Sequence, residues 1–141
     1  MEFYHYCIGD IVRYYEDLYR VYGINKGDST ITLECFYGKD KSSLIEVYIG
    51  YIFPVVIDEE LLESFGITKH YDSDSYCYRD YAHNESVRFT YIKKYSKWEI
   101  RHYGGLYFTN KSSSDFMRVK YLHQLQQVLR IWGLKDLVYI K

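Results

Sequence analysis

Val119–Gly133 reads VKYLHQLQQVLRIWG, the one long stretch with clear helical periodicity. Leu122, Leu125, Leu129 and Trp132 recur at i, i+3, i+7 and i+10, with Tyr121 and Val128 beside them. At helical pitch these six residues cover roughly a third of the circumference, so one face must be buried. His123, Gln124, Gln127 and Arg130 fall on the other side. Gly133 is placed to end the helix in the left-handed region. Ser112–Ser114 and Asp115 offer capping oxygens upstream, so the expected helix runs over 116–132. In a mixed protein the usual partner of such a face is a sheet.

The residues before it support that expectation. Thr30–Phe36 alternates cleanly, with Ile31, Leu33 and Cys35 on one side and Thr30, Thr32 and Glu34 on the other. That is the period of a half-buried strand. Ile8–Arg13, Asp17–Gly23 and Leu44–Ile49 read the same way. They are separated by the turn sequences Asn25–Asp28 and Tyr37–Lys41. Tyr51–Ile57 adds a fifth run, and Pro54 confines it to an edge or a strand end. Five short strands in so few residues predict a small SH3-like β-barrel or an open meander over 7–57.

Asp58-Glu59-Glu60 opens a short connecting helix over 58–66. Asp58 is its cap, and Gly66-Ile67 is its stop. Further strands are expected at Tyr76–Tyr81, Val87–Ile92, Lys97–Tyr103, Leu106–Thr109 and Leu137–Ile140. The fold class is therefore α+β. It is one compact domain over 1–141, in which an antiparallel sheet and the helix fill 76–141.

Composition narrows the classes. Hydrophobic residues make up 48% of the 141, which is enough for a real core. No apolar run approaches the roughly 20 residues needed to span a bilayer. No apolar targeting segment follows Met1-Glu2. Cys7, Cys35 and Cys77 are widely spaced and suit a reducing compartment, so a cytoplasmic location and no membrane partner are expected. Charge is divided unevenly. Residues 1–68 hold 5 Lys or Arg against 12 Asp or Glu, and residues 69–141 hold 13 against 7. Such a dipolar chain favours association of opposite charges, including a head-to-tail homo-oligomer.

Two stretches, Phe53–Ile67 (FPVVIDEELLESFGI) and Lys120–Leu129 (KYLHQLQQVL) followed by Gly133, resemble a known group. That group comprises small uncharacterised proteins of Bacteroidota, their phages and their integrative elements. Its members open with an I-G-(N/D)-x-V strand, here Ile8–Val12. They continue with P-I-P-L-T-E-E-x-L-x-x-x-G-F and close with a Y-V-H-Q-L-Q-N-L helix. His123–Gln126 is the most specific match. Val55–Ile57 replaces Ile-Pro-Leu, Asp58 replaces Thr, and Ile131-Trp132 departs from the smaller residues before the last Gly. The resemblance implies a lineage and a genomic setting, and no reaction.

Catalytic chemistry finds no foothold. No C-x-x-C, H-x-x-x-H, G-x-S-x-G or P-loop pattern occurs, and His5, His70, His83, His102 and His123 are scattered. No metal, cofactor or catalytic residue is expected. Gln126 reads as a half-buried side chain bonded to nearby backbone, and His123 as a residue near a strand or solvent.

The strongest binding signal is Arg88–Arg101, RFTYIKKYSKWEIR, which mixes basic and aromatic residues on a hairpin. The candidate binding residues are Arg88, Tyr91, Lys93, Lys94, Tyr95, Lys97 and Arg101. Phe89, Tyr91 and Trp98 are also wanted by the core, so the same stretch reads equally as an amphipathic hairpin with a charged outer face. The expected function is a non-enzymatic binding protein, an accessory factor of a phage or mobile element acting on a host protein partner. The alternatives are sequestration of a nucleotide or similar small anion, as a counter-defence factor would do, and nucleic-acid binding.

Overall fold

The computed structural model describes residues 5–36, 41–69, 75–104 and 114–138. Among these residues the fold is α+β: two five-stranded antiparallel sheets, a short helix and a C-terminal helix. Contacts divide the chain into two compact units. The first takes Met1–Val56 and Tyr121–Gln127, and the second takes Ile57–Lys120 and Val128–Ile140.

In the first unit the strands are β1 (Ile11–Tyr14), β2 (Asp17–Asn25), β3 (Thr30–Glu34), β4 (Leu44–Tyr48) and β5 (Ile52–Phe53). Their order in the sheet is β4-β3-β2-β1-β5. Alternation places Val12, Val21, Ile31, Leu33 and Ile52 in one buried cluster, with Tyr14, Tyr19, Ile45 and Val47 packed around it. No ladder joins β4 to β5 among the described residues, so the sheet is an open meander and the expected closed barrel is not formed. The physical reason lies in the last strand. β5 is two residues long and stops at Pro54, which has no N–H to extend a ladder.

In the second unit, α1 (Glu59–Ser64) follows the capping rules closely. The Asp58 carboxylate accepts the Leu61 N–H at 2.8 Å. Gly66 takes φ +80° as the C′ residue, and the Ile67 N–H returns to the Leu62 carbonyl at 3.1 Å. The sheet runs β10-β9-β8-β7-β6, with β6 (Thr68–Lys69), β7 (Tyr76–Asp80), β8 (Glu85–Ile92), β9 (Lys97–Tyr103) and β10 (Ser114–Val119). Its inner face aligns Phe89 with Ile100 and Tyr91 with Trp98. The Trp98 indole N–H is satisfied by the Ile57 carbonyl at 3.1 Å.

The C-terminal helix α2 is Leu122–Ile131, shorter than the expected 116–132. Ser114–Val119 instead pairs with β9 along its whole length. There Phe116 and Arg118 alternate with Met117 and Val119, a period of two that suits a strand better than a helix. The helix is capped from within: the Gln124 side chain reaches back to accept the Tyr121 N–H at 3.1 Å. At the other end Gly133 is at φ +75°, and the Leu134 N–H bonds to the Leu129 carbonyl at 2.7 Å. Leu122, Leu125 and Leu129 are fully buried, as their spacing requires. The strand expected at Leu106–Thr109 lies outside the described residues. The one expected at Leu137–Ile140 is not formed in its described part: Leu137 closes a 3-10 turn, Lys135–Leu137, and Val138 is in no strand, while its last two residues lie outside the described ones.

The His-Gln-Leu-Gln segment acts as a clasp within the first unit. Gln126 accepts the Ile11 N–H at 2.7 Å and donates to the Gly9 carbonyl at 3.1 Å. Gln127 donates to the Asp10 carboxylate at 2.9 Å, and that same oxygen accepts the Cys7 N–H at 2.7 Å. Asp10 is fully buried. Two motifs far apart in sequence, Ile8–Val12 and His123–Gln126, therefore meet through hydrogen bonds.

His123, expected near a strand or solvent, is 2% exposed; it stacks on Tyr121 and meets the Tyr6 ring edge-on. Burial lowers its pKa, against the smaller pull of the Asp10 charge. The unfolded chain thus takes up this proton more readily than the folded one. The stabilisation from a neutral His123 is complete above the ordinary value of about 6.5 and is lost as pH falls towards the folded value. His83 acts with the opposite sign, because its bond to Asp80 raises its pKa. In urea unfolding between about pH 7.5 and 5.5, His123→Phe should flatten part of the acid-side loss of stability. An unchanged slope would show that His123 protonates equally in both states.

Candidate functional site: an arginine-lined sheet face

Register decides which side chains share the outer face of the second sheet. Arg88 stands opposite Arg101, Thr90 opposite Glu99 and Ile92 opposite Lys97. β10 adds Phe116 beside Arg101 and Arg118 beside Glu99. β7 adds Cys77 beside Arg88 and Arg79 beside Ser86. Four arginines and Lys97 thus share a face whose only carboxylate, among the described residues, is Glu99.

The two ends of this face differ in exposure. Towards β7, Cys77 and Ser86 are buried, as is Tyr103. Towards β10 the face is open: Phe116 is 45% exposed, and the Arg118 side chain is 42% exposed. There the groups form one assembly. The Arg101 Nε donates to Glu99 at 2.5 Å, and the Arg118 Nε lies 3.8 Å from the other oxygen of the same carboxylate. The Arg101 guanidinium sits 4.6 Å from the centre of the Phe116 ring. The Arg118 guanidinium sits 4.5 Å from the Tyr95 ring and 5.7 Å from Phe116. Lys94 approaches Tyr95 from the turn, at 5.4 Å.

This arrangement fixes planar guanidinium groups in the sheet surface. Cation–π contact and the shared carboxylate remove rotamer freedom that an exposed arginine would otherwise keep. A guanidinium held by its face presents N–H edges, the geometry that grips carboxylate or phosphate oxygens in pairs.

The residues expected from sequence divide between places. Arg88, Lys97 and Arg101 lie on the outer face, and Lys93, Lys94 and Tyr95 lie in the exposed β8–β9 turn. Tyr91 lies on the inner face, with its ring 5.4 Å from Trp98, so it does not join the arginines. Phe116, Arg118 and Arg79 are members that the sequence reading passed over. Phe116 and Arg118 fell within the span expected to be helical. The signal that would have found them is the alternation of Phe116 and Arg118 against Met117 and Val119.

Among the described residues no three His, Cys, Asp or Glu side chains are grouped to hold a metal ion. No described helix is long and apolar enough to cross a membrane. Compared with protein-family models, curated proteins and solved structures, the chain matches none.

Proposed function

We propose that this is a non-enzymatic binding protein whose outer arginine face docks an acidic surface of a partner protein. One observation carries the reading: Arg101 and Arg118 are pre-set on Phe116 and Tyr95 around a single carboxylate, on the open end of the sheet. Arginine and aromatic residues dominate binding hot spots, and ordering them beforehand lowers the entropy lost on association. The excess of basic residues in 69–141 favours the same class of partner. The motif resemblance supports the genomic setting of such a factor, a phage or mobile element, and the arginine face supports its action on a host protein.

Nucleic acid is the second reading, since phosphate oxygens suit the same N–H edges. It is the weaker one, because Phe116 and Tyr95 already carry arginines on their rings and stacking of bases needs those rings. The test is affinity capture from a Bacteroidota lysate, with and without nuclease, using the wild type and Arg101→Glu/Arg118→Glu. Host proteins that survive nuclease and are lost with the variant support docking to protein. Recovery of nucleic acid alone, with steep salt dependence, would move the assignment to the second reading.

A further inference from the structure

The second unit contains a cavity of about 300 Å³, where the end of β7 and the start of β8 meet the chain following α2. Its walls include Tyr78, Asp80, His83, Glu85, Trp132 and Asp136. It lies on the inner side of the sheet, since Tyr78 pairs with Val87 and Val87 with His102, and so it stands apart from the arginine face.

The chemistry of the walls is one-sided. Three carboxylates and two large aromatic rings face a small volume, and no described Lys or Arg lines it. This is an acidic hollow in the basic half of the chain. The carboxylates differ in how far the protein satisfies them. Asp80 accepts from the His83 ring at 2.7 Å and from its backbone N–H at 3.2 Å. Glu85 lies 3.7 Å from the His102 Nε2, beyond hydrogen-bond reach, and its charge also bears on Tyr78 and His83. Asp136 has no hydrogen bond or ion pair among the described residues. The ring of Trp132 is held by His102, stacked at 5.2 Å and 25°. Local electrostatics agree with the geometry. The Tyr78 hydroxyl is pushed up by burial and then by Asp80 and Glu85, and His83 is pushed up by Asp80.

We infer that this cavity binds a guanidinium group, carried either by a small molecule or by an arginine side chain. The carboxylates repel anions. The grouping does not meet the needs of a metal ion. An organic cation satisfies both kinds of wall at once, charge against Glu85 and Asp136, and a flat face against Trp132. Guanidinium suits it better than ammonium for two reasons. It is planar, so it stacks on indole while its edge donates to carboxylates in pairs, and it is more weakly hydrated, so entering the cavity costs less.

The chain has two tryptophans, and only Trp132 lines the cavity while Trp98 is buried elsewhere, so a ligand-dependent change in emission reports on Trp132. Agmatine, an arginine-containing pentapeptide capped at both ends, and n-butylamine should be titrated in turn, with calorimetry in parallel. Saturable quenching by agmatine with a Kd on the order of 0.1–1 mM is expected, n-butylamine being at least about tenfold weaker. Tight binding of the peptide with weaker binding of agmatine would still support the site and assign the arginine to a partner chain. Asp136→Asn, an exposed substitution that leaves the fold intact, should weaken either ligand about tenfold, and Glu85→Gln should do the same. Equal binding of n-butylamine and agmatine would overturn the guanidinium assignment. No saturable heat or quenching from either guanidinium ligand would overturn the site.

Discussion

Reversing Arg101 and Arg118 together to Glu should weaken capture of an acidic partner by at least about 100-fold, while the folded protein persists. The size follows from what the substitution removes. Each arginine is partly exposed, stacks on an aromatic ring and shares Glu99. Their replacement deletes two pre-set guanidinium groups and puts three carboxylates in a neighbourhood that held one. Truncating a hot-spot arginine costs about 2 kcal/mol or more, and adding like charge against an acidic partner costs further. The stability cost is small at Arg118, whose side chain is 42% exposed, since exposed ion pairs contribute about 0–1 kcal/mol, and larger at the part-buried Arg101–Glu99 pair. Arg101→Lys is the more discriminating variant. It keeps the charge and loses the planar edge, so a loss of about tenfold points to paired N–H contacts, whereas no loss points to charge alone. The measurement is a binding isotherm against the captured partner at two salt concentrations, with thermal unfolding as the control for folding. Wild-type affinity in the double reversal would remove this face from the function.

The elements that could be read in the sequence are those whose information is local. Asp58 capping α1, Gly66 and Gly133 ending their helices, and the hairpin face shared by Phe89, Tyr91, Trp98 and Ile100 all follow from residues within one turn or one hairpin. The Leu122/Leu125/Leu129 stripe did predict burial. What escaped depends on partners distant in sequence. Ser114–Val119 is a strand because β9 offers it an edge, and capping oxygens near a helical stripe outweighed its own alternation. His123 is expected near a strand or solvent, because the stripe already accounts for one side of the helix. It is buried, with a ring contact to Tyr6, more than a hundred residues earlier, that no local pattern shows. The candidate site was legible in the same limited sense. The hairpin and the core-side pairing of Tyr91 with Trp98 were legible, and that pairing sets Tyr91 apart from the arginines with which it was grouped as a binding candidate. Arg118 and Phe116, which complete the open end of the face, came from a strand not foreseen.

The largest effect on stability should come from Gln126→Leu. Its two bonds join α2 to the lead-in of β1: Oε1 takes the Ile11 N–H, and Nε2 gives to the Gly9 carbonyl. Leucine has a similar volume, so packing is nearly kept, but a buried backbone donor and a part-buried acceptor both lose this partner. Leaving a buried polar group unsatisfied costs about 1–3 kcal/mol, so the pair should cost about 2–5 kcal/mol in urea unfolding. That is a large part of the stability of a domain this size. Gln126→Glu separates the two bonds. It retains the acceptor for Ile11, loses the donor to Gly9, and places a second carboxylate near buried Asp10, so its deficit should shrink as pH falls and the new carboxyl takes up a proton. Ile131→Ala, at a position 81% exposed, is the reference and should stay within about 0.5 kcal/mol of wild type. Amide exchange gives the site-specific reading. The Ile11 amide bonds to Gln126, and the neighbouring Gly9 amide bonds to the Val21 carbonyl at 2.8 Å, so both should lose protection in Gln126→Leu. Protection lost only at α2, with Gly9 and Ile11 unchanged, would mean that this glutamine stabilises its own helix and does not hold the N-terminal strand.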